Sequence, residues 1–108
     1  MSGRQAIDDI FAVIADPTRR KLLDRLGRGE MTVINLARPF DMTLSAVSQH
    51  LKHMSAVGIV KVRRDGRQRY YRLNARPLKT VADWVGKYER FWNDKLAALR
   101  EHLDENPT

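Results

Sequence analysis

A chain of 108 residues is long enough for one domain with a modest hydrophobic core. Its formal net charge of +7 points to a polyanionic partner, and the absence of cysteine excludes disulfides and thiolate metal sites. No apolar run approaches the roughly 20 residues that span a bilayer, and Met1 to Gln5 holds no signal-like apolar segment, so a soluble cytoplasmic protein without membrane contact is expected.

Ile7, Ile10, Phe11 and Ile14 fall at helical spacing and predict a first helix ending near Ala15. Asp16 and Pro17 then suit the cap and first position of a second helix, whose inner face is Leu22, Leu23 and Leu26 and whose end is marked by Gly27 and Gly29. Thr32 caps a third helix carrying Val33, Leu36 and Ala37, which ends before Pro39 because the residue preceding proline is pushed out of the helical region. Thr43 caps a fourth helix that Gly58 closes, and together the third and fourth helices form a helix-turn-helix.

On the fourth helix Val47, Leu51 and Met54 repeat at spacings of four and three and face inward. Ser45, Ser48, Gln49 and Lys52 fall mainly on the other side, a short polar surface suited to the DNA major groove. Next, Val60 and Val62 alternate with Lys61 and Arg63, Asp65-Gly66 signals a hairpin turn, and Tyr71 and Leu73 alternate with Tyr70 and Arg72 on the return strand. One tyrosine of the pair is therefore core and the other outward. From Thr43 to Arg76 the net charge is +7, so this third of the chain carries the whole excess. A readable helix followed by a basic ribbon is the order of a winged helix-turn-helix, with double-stranded DNA as the expected partner.

From Pro77 a long last helix is predicted. Val81, Val85, Tyr88, Trp92, Leu96, Leu99 and Leu103 form an apolar stripe that Trp84 and Phe91 broaden. The stripe exceeds what a small domain covers from inside, so it is expected to meet a second copy, with Ile7, Ile10 and Phe11 of the first helix beside it. The expected architecture is mainly α with a small β-hairpin: five helices, a homodimer through the first and last, a DNA-binding and dimerisation domain over residues 1–103, and a flexible tail over 104–108.

Asp16-Pro17-Thr18-Arg19-Arg20-Lys21-Leu22-Leu23 resembles the D-P-x-R-x-x-I-L signature of ArsR-type (ArsR/SmtB) bacterial repressors. Leu44 to Lys52 is similar to their S-x-x-S-x-H-L recognition helix, and Ala56 to Val60 with the ribbon through Leu73 resembles their A-G-L-V and wing pattern. The resemblance covers roughly residues 6 to 103. It implies a homodimeric repressor that covers an inverted repeat in a promoter and releases when a ligand, often a metal, binds. Metal sensors of this kind carry E-L-C-V-C-D-L on the third helix, whereas this chain has Glu30-Met31-Thr32-Val33-Ile34-Asn35-Leu36, with Thr32 and Ile34 at the cysteine positions. The last helix holds one histidine, His102, and a nitrogen-oxygen zinc site needs about four ligands. A member without a metal site or cofactor is expected, similar through Tyr88 to Trp92 to a metal-independent branch.

Ser45, Ser48 and Gln49, with His50 or Lys52, are the expected major-groove readers. His50 has a competing role, satisfying a backbone carbonyl between helices. Thr32 and Thr43 at helix starts, and Arg64, Arg67 and Arg69 in the wing, are expected at the DNA backbone or minor groove. No nucleophile–base pattern or glycine-rich phosphate loop argues for an enzyme. An RNA-binding winged helix and a protein-interaction adaptor are the alternatives.

Overall fold

The computed structural model describes the backbone of residues 3–105 and the side chains of residues 9–105. The elements are α1 (Gly3–Ala15), α2 (Pro17–Leu26), α3 (Val33–Ala37), α4 (Leu44–Val57), β1 (Val60–Asp65), β2 (Gln68–Leu73), α5 (Leu78–Gly86) and α6 (Glu89–Glu105). They form two units that part after Leu78. No helix among the described residues is long and apolar enough to cross a membrane.

In the first unit the helix starts are set by their caps. The Asp16 carboxylate accepts the Arg19 N–H at 2.9 Å. The Thr32 hydroxyl accepts from Asn35 at 3.3 Å, and that of Thr43 from Ala46 at 3.1 Å. Asp16-Pro17 breaks the helical path after α1, leaving carbonyls without intrahelical donors. Two arginines supply donors: Arg19 Nη1 reaches the Ala12 carbonyl at 3.3 Å, and Arg20 Nη1 reaches that of Ile14 at 2.6 Å. Helix α4 ends at Gly58, whose φ of 93° is the left-handed conformation that glycine adopts without a Cβ penalty. The core is Val13, Leu22, Leu36, Val47, Leu51, Met54 and Ile59, all without solvent exposure. Each such side chain stabilises the fold by about 1.5–3 kcal/mol relative to an exposed one.

The hairpin pairs Val60 with Leu73, Val62 with Tyr71 and Asp65 with Gln68. Its turn is therefore Gly66 and Arg67, one place later than Asp65-Gly66. Only the first of these has positive φ, 64°, the pattern of a type II′ turn. The shift puts Arg67 at the tip. Met31 adds a short third edge, donating to the Tyr71 carbonyl at 2.9 Å and accepting from its N–H at 2.8 Å. At the hairpin base, Asn74 Nδ2 donates to the Gly58 carbonyl at 2.8 Å.

The last helix differs from expectation. It is two helices, α5 and α6, which makes six among the described residues rather than five. Gly86 ends α5, where a residue without a side chain is the weakest helix former after proline. The backbone then tightens: Lys87 donates to the Trp84 carbonyl at 3.3 Å and Tyr88 to that of Val85 at 2.9 Å, each three residues back. The ladder resumes with Trp92 donating to Tyr88 at 3.2 Å, and Glu89 sits in the first turn of α6, where a negative charge is favoured. Helix α6 continues through Glu105, so Asp104 and Glu105 are helical and the rest of the expected tail, 106–108, lies outside the described residues.

Replacing Gly58 by alanine puts a Cβ into a left-handed backbone, although no neighbouring atom would clash with it. The expected cost is about 1–2 kcal/mol, read as a lower urea midpoint at unchanged slope.

Candidate nucleic-acid interface

Helix α4 buries Val47, Leu51 and Met54 and leaves Ser45, Ser48, Gln49, Lys52 and His53 exposed. His50 differs from the other expected readers. It lies three residues after Val47 and four before Met54, on the inward side, and is half-buried. Its Nδ1 accepts a hydrogen bond from Arg19 Nε at 3.2 Å, a side-chain partner in place of the backbone carbonyl that was the competing expectation. Arg19 thereby joins the end of α1, the start of α2 and the middle of α4.

The hairpin stands beside α4. Ser48, Lys52 and Ser55 face Val62, Arg69 and Tyr71 across one cleft. A second cleft is lined by Thr32, Val33 and Ile34, by Ser48, and by Arg67, Gln68 and Arg69 at the wing tip. The fold thus brings together Ser48, Lys52, Thr32, Arg67 and Arg69 from three elements. Ser45 and Gln49 stand outside these clefts on the outward side of α4. The hydroxyls of Thr32 and Thr43 are both engaged as caps. Tyr71 is the inward tyrosine, 9% exposed, and Tyr70 lies half-buried on the outer face.

Arg64 and Arg69 face each other directly across the ladder. Like charges opposite one another are unfavourable in isolation. Among the described residues Arg64, Arg67 and Arg69 are exposed and make no hydrogen bond or ion pair, so the repulsion is unrelieved within the chain. An anion bridging the pair would relieve it. Arg63 behaves otherwise: its guanidinium forks onto Glu30 at 2.6 and 3.2 Å and lies 4.5 Å from the centre of the Tyr70 ring. The Arg63 hydrogen bond holds the Glu30 carboxyl below its ordinary range against an opposing desolvation, with the charges of Arg63 and Arg72 acting in the same direction as the hydrogen bond. Nothing local in the sequence marks this pair, because its partners lie 33 positions apart.

The second unit presents apolar side chains. Trp84, Tyr88, Phe91, Trp92, Leu96, Leu99 and Leu103 are 48–61% exposed, and no residue of α5 or α6 is buried. Val81 and Val85 are half-buried. Of the first-helix residues expected beside them, Ile10 is buried and Phe11 half-buried, whereas the side chain of Ile7 lies outside the described residues. Among the described residues no three His, Cys, Asp or Glu side chains converge on a possible metal position.

A helix-turn-helix domain family matches residues 14–63. The chain is 34% identical over 79 residues to the transcriptional repressor SdpR of Bacillus subtilis, covering 73% of this chain and 88% of the relative. It is 33% identical over 104 residues to the HTH-type transcriptional regulator Rv2034 of Mycobacterium tuberculosis, covering 96% and 94%. Among solved structures, an ArsR family transcriptional regulator superposes with a TM-score of 0.73 at 34% identity, covering 85% of this chain and 95% of that one. A homodimeric winged helix-turn-helix DNA-binding domain from Mycobacterium bovis gives 0.65 at 25% identity, covering 82% and 90%.

The inward placement of His50 and the outward placement of Gln49 separate two neighbouring substitutions. His50→Ala should lower the unfolding free energy by about 1 kcal/mol through the lost Arg19 hydrogen bond. Gln49→Ala should stay within about 0.5 kcal/mol of the parent in the same denaturation series.

Proposed function

This chain belongs to the ArsR-type family of helix-turn-helix transcriptional regulators, and we propose that it acts as a homodimeric repressor at an inverted-repeat operator, working without a metal. It is a DNA-binding regulator and not an enzyme. The observation that carries the mechanism is the joint presentation of a polar helix face and uncompensated wing arginines on one buried framework.

Gln49 and Ser45 read base edges in the major groove, Gln49 through the two-point amide contact that suits adenine. Ser48 and Lys52 lie towards the wing and contact the adjoining backbone. Arg67 at the turn enters or flanks the minor groove, with Arg64 and Arg69 on phosphates. The first-turn amides of α3 and α4, beside Thr32 and Thr43, add phosphate donors. His50 supports the reading helix from behind through Arg19.

The exposed aromatic and leucine side chains of α5 and α6 close on the same helices of a second copy. Moving a half-exposed large apolar side chain out of water contributes roughly 1 kcal/mol. The twofold axis then sets two reading helices about one DNA turn apart. Release by a metal is disfavoured by Thr32 and Ile34 at the sensor cysteine positions and by a sequence without cysteine. The working compartment is the cytoplasm, where promoter DNA is.

Footprinting upstream of the protein's own gene should reveal a symmetric protected site, unaltered by zinc. On that site, Gln49→Ala should relax base preference at one position per half-site, whereas Arg67→Ala should weaken all sequences alike; identical behaviour of the two would refute the division of roles. With about five phosphates neutralised per protomer, log affinity against log salt should fall with a slope near −9, and a flat response rejects the interface. Leu96→Glu should yield monomers in sedimentation and lose the footprint.

A further inference from the structure

We propose that Glu30 is a positioning residue for DNA binding: through Arg63 it clamps the wing against the start of the helix-turn-helix. This rests on the DNA-binding function proposed for the chain and adds to it a residue that touches no DNA.

The geometry spans three strands. Arg63 projects from β1 on the face away from the core, opposite Tyr70 of β2. On the far edge of β2 runs Met31, paired with Tyr71, and Glu30 precedes it directly. The Arg63 side chain thus crosses the central strand, stacks on the Tyr70 ring at 4.5 Å and ends in the two-point fork on Glu30. Asp65 adds a weaker attraction at 3.8 Å. Two residues after Met31 begins α3, so the fork ties the hairpin to the first helix of the reading motif. The second cleft, with Thr32, Ile34, Ser48, Arg67 and Arg69 on its walls, lies between the parts so joined. Its width depends on how the hairpin sits against α3 and α4, and the arginines that reach for DNA stand on the hairpin side.

A bidentate arginine–carboxylate pair fixes orientation as well as distance. It also removes Arg63 from the charges available to phosphate. The wing therefore offers DNA Arg64, Arg67 and Arg69 held in place, with Arg63 used as their anchor.

Charge and positioning predict opposite signs, which makes the test sharp. Glu30→Gln removes an acid from a protein that binds a polyanion, so electrostatics alone predicts tighter binding. The clamp predicts the reverse: about fivefold weaker binding to a fluorescent duplex three helical turns long, with a salt slope shallower by about 1–2. Arg63→Lys, which keeps the charge but not the fork, should weaken binding in the same direction. The reversed pair Glu30→Arg with Arg63→Glu, at unchanged net charge, should recover most of the loss. Circular dichroism and melting establish that each variant is folded. If Glu30→Gln does not fold, the Arg63→Lys titration decides. Binding by either variant as tight as the parent's, or tighter, overturns the clamp. A parent protein that binds no duplex would instead remove the functional reading on which it stands.

Discussion

Helix α4 has one face that water must not see, and the placement of every candidate DNA ligand descends from burying it. Val47, Leu51 and Met54 lose all exposure, and no rotation of the helix would satisfy them otherwise. Once that face is inside, Ser45 and Gln49 point outward and His50 turns back toward Arg19. At the far end, the left-handed Gly58 redirects the chain so that Ile59 and Val60 enter the same core. The hairpin then rises alongside α4, with Asn74 tied to the Gly58 carbonyl. One apolar cluster underlies both α4 and the hairpin, and the Asn74–Gly58 and Arg63–Glu30 contacts add to it at the margins.

The wing shows the opposite economy of interactions. Arg64 and Arg69 are set against each other across the ladder, and among the described residues neither they nor Arg67 has an acidic partner. Solvent screening keeps such repulsion small in the free protein. The same arrangement becomes favourable when a phosphate lies between the guanidinium groups. Arg63, one residue away and on the other face, has an acid and a ring to hold it. Alternation along a strand therefore divides one basic run into a part held by the fold and a part left exposed, the part proposed to meet DNA.

The second unit illustrates a different incompleteness. Its seven large apolar side chains remain about half exposed or more, from Trp84 to Leu103. A pair of short helices cannot bury such a surface by itself, and the proposed homodimer is the simplest way to cover it. Twofold pairing would also present two reading helices at once, so the apolar stripe and the polar face of α4 are parts of one function.

Short windows of sequence determine much of this protein. The caps at Asp16, Thr32 and Thr43 and the stop at Gly58 arise from interactions within about four residues along the chain, and the spacing of Val47, Leu51 and Met54 marks the face that the core then buries. Where two local signals compete, the sequence misleads: Asp65-Gly66 looks like the turn, but strand pairing places it at Gly66 and Arg67. The continuous stripe likewise conceals a break, because periodicity carries no record of the backbone tightening after Gly86. What only the tertiary structure decided are the partners brought together from afar: Arg19 with His50, Met31 with Tyr71, Glu30 with Arg63. Residue types name what each of these groups can bond to, and chain closure around the core selects which neighbour it meets.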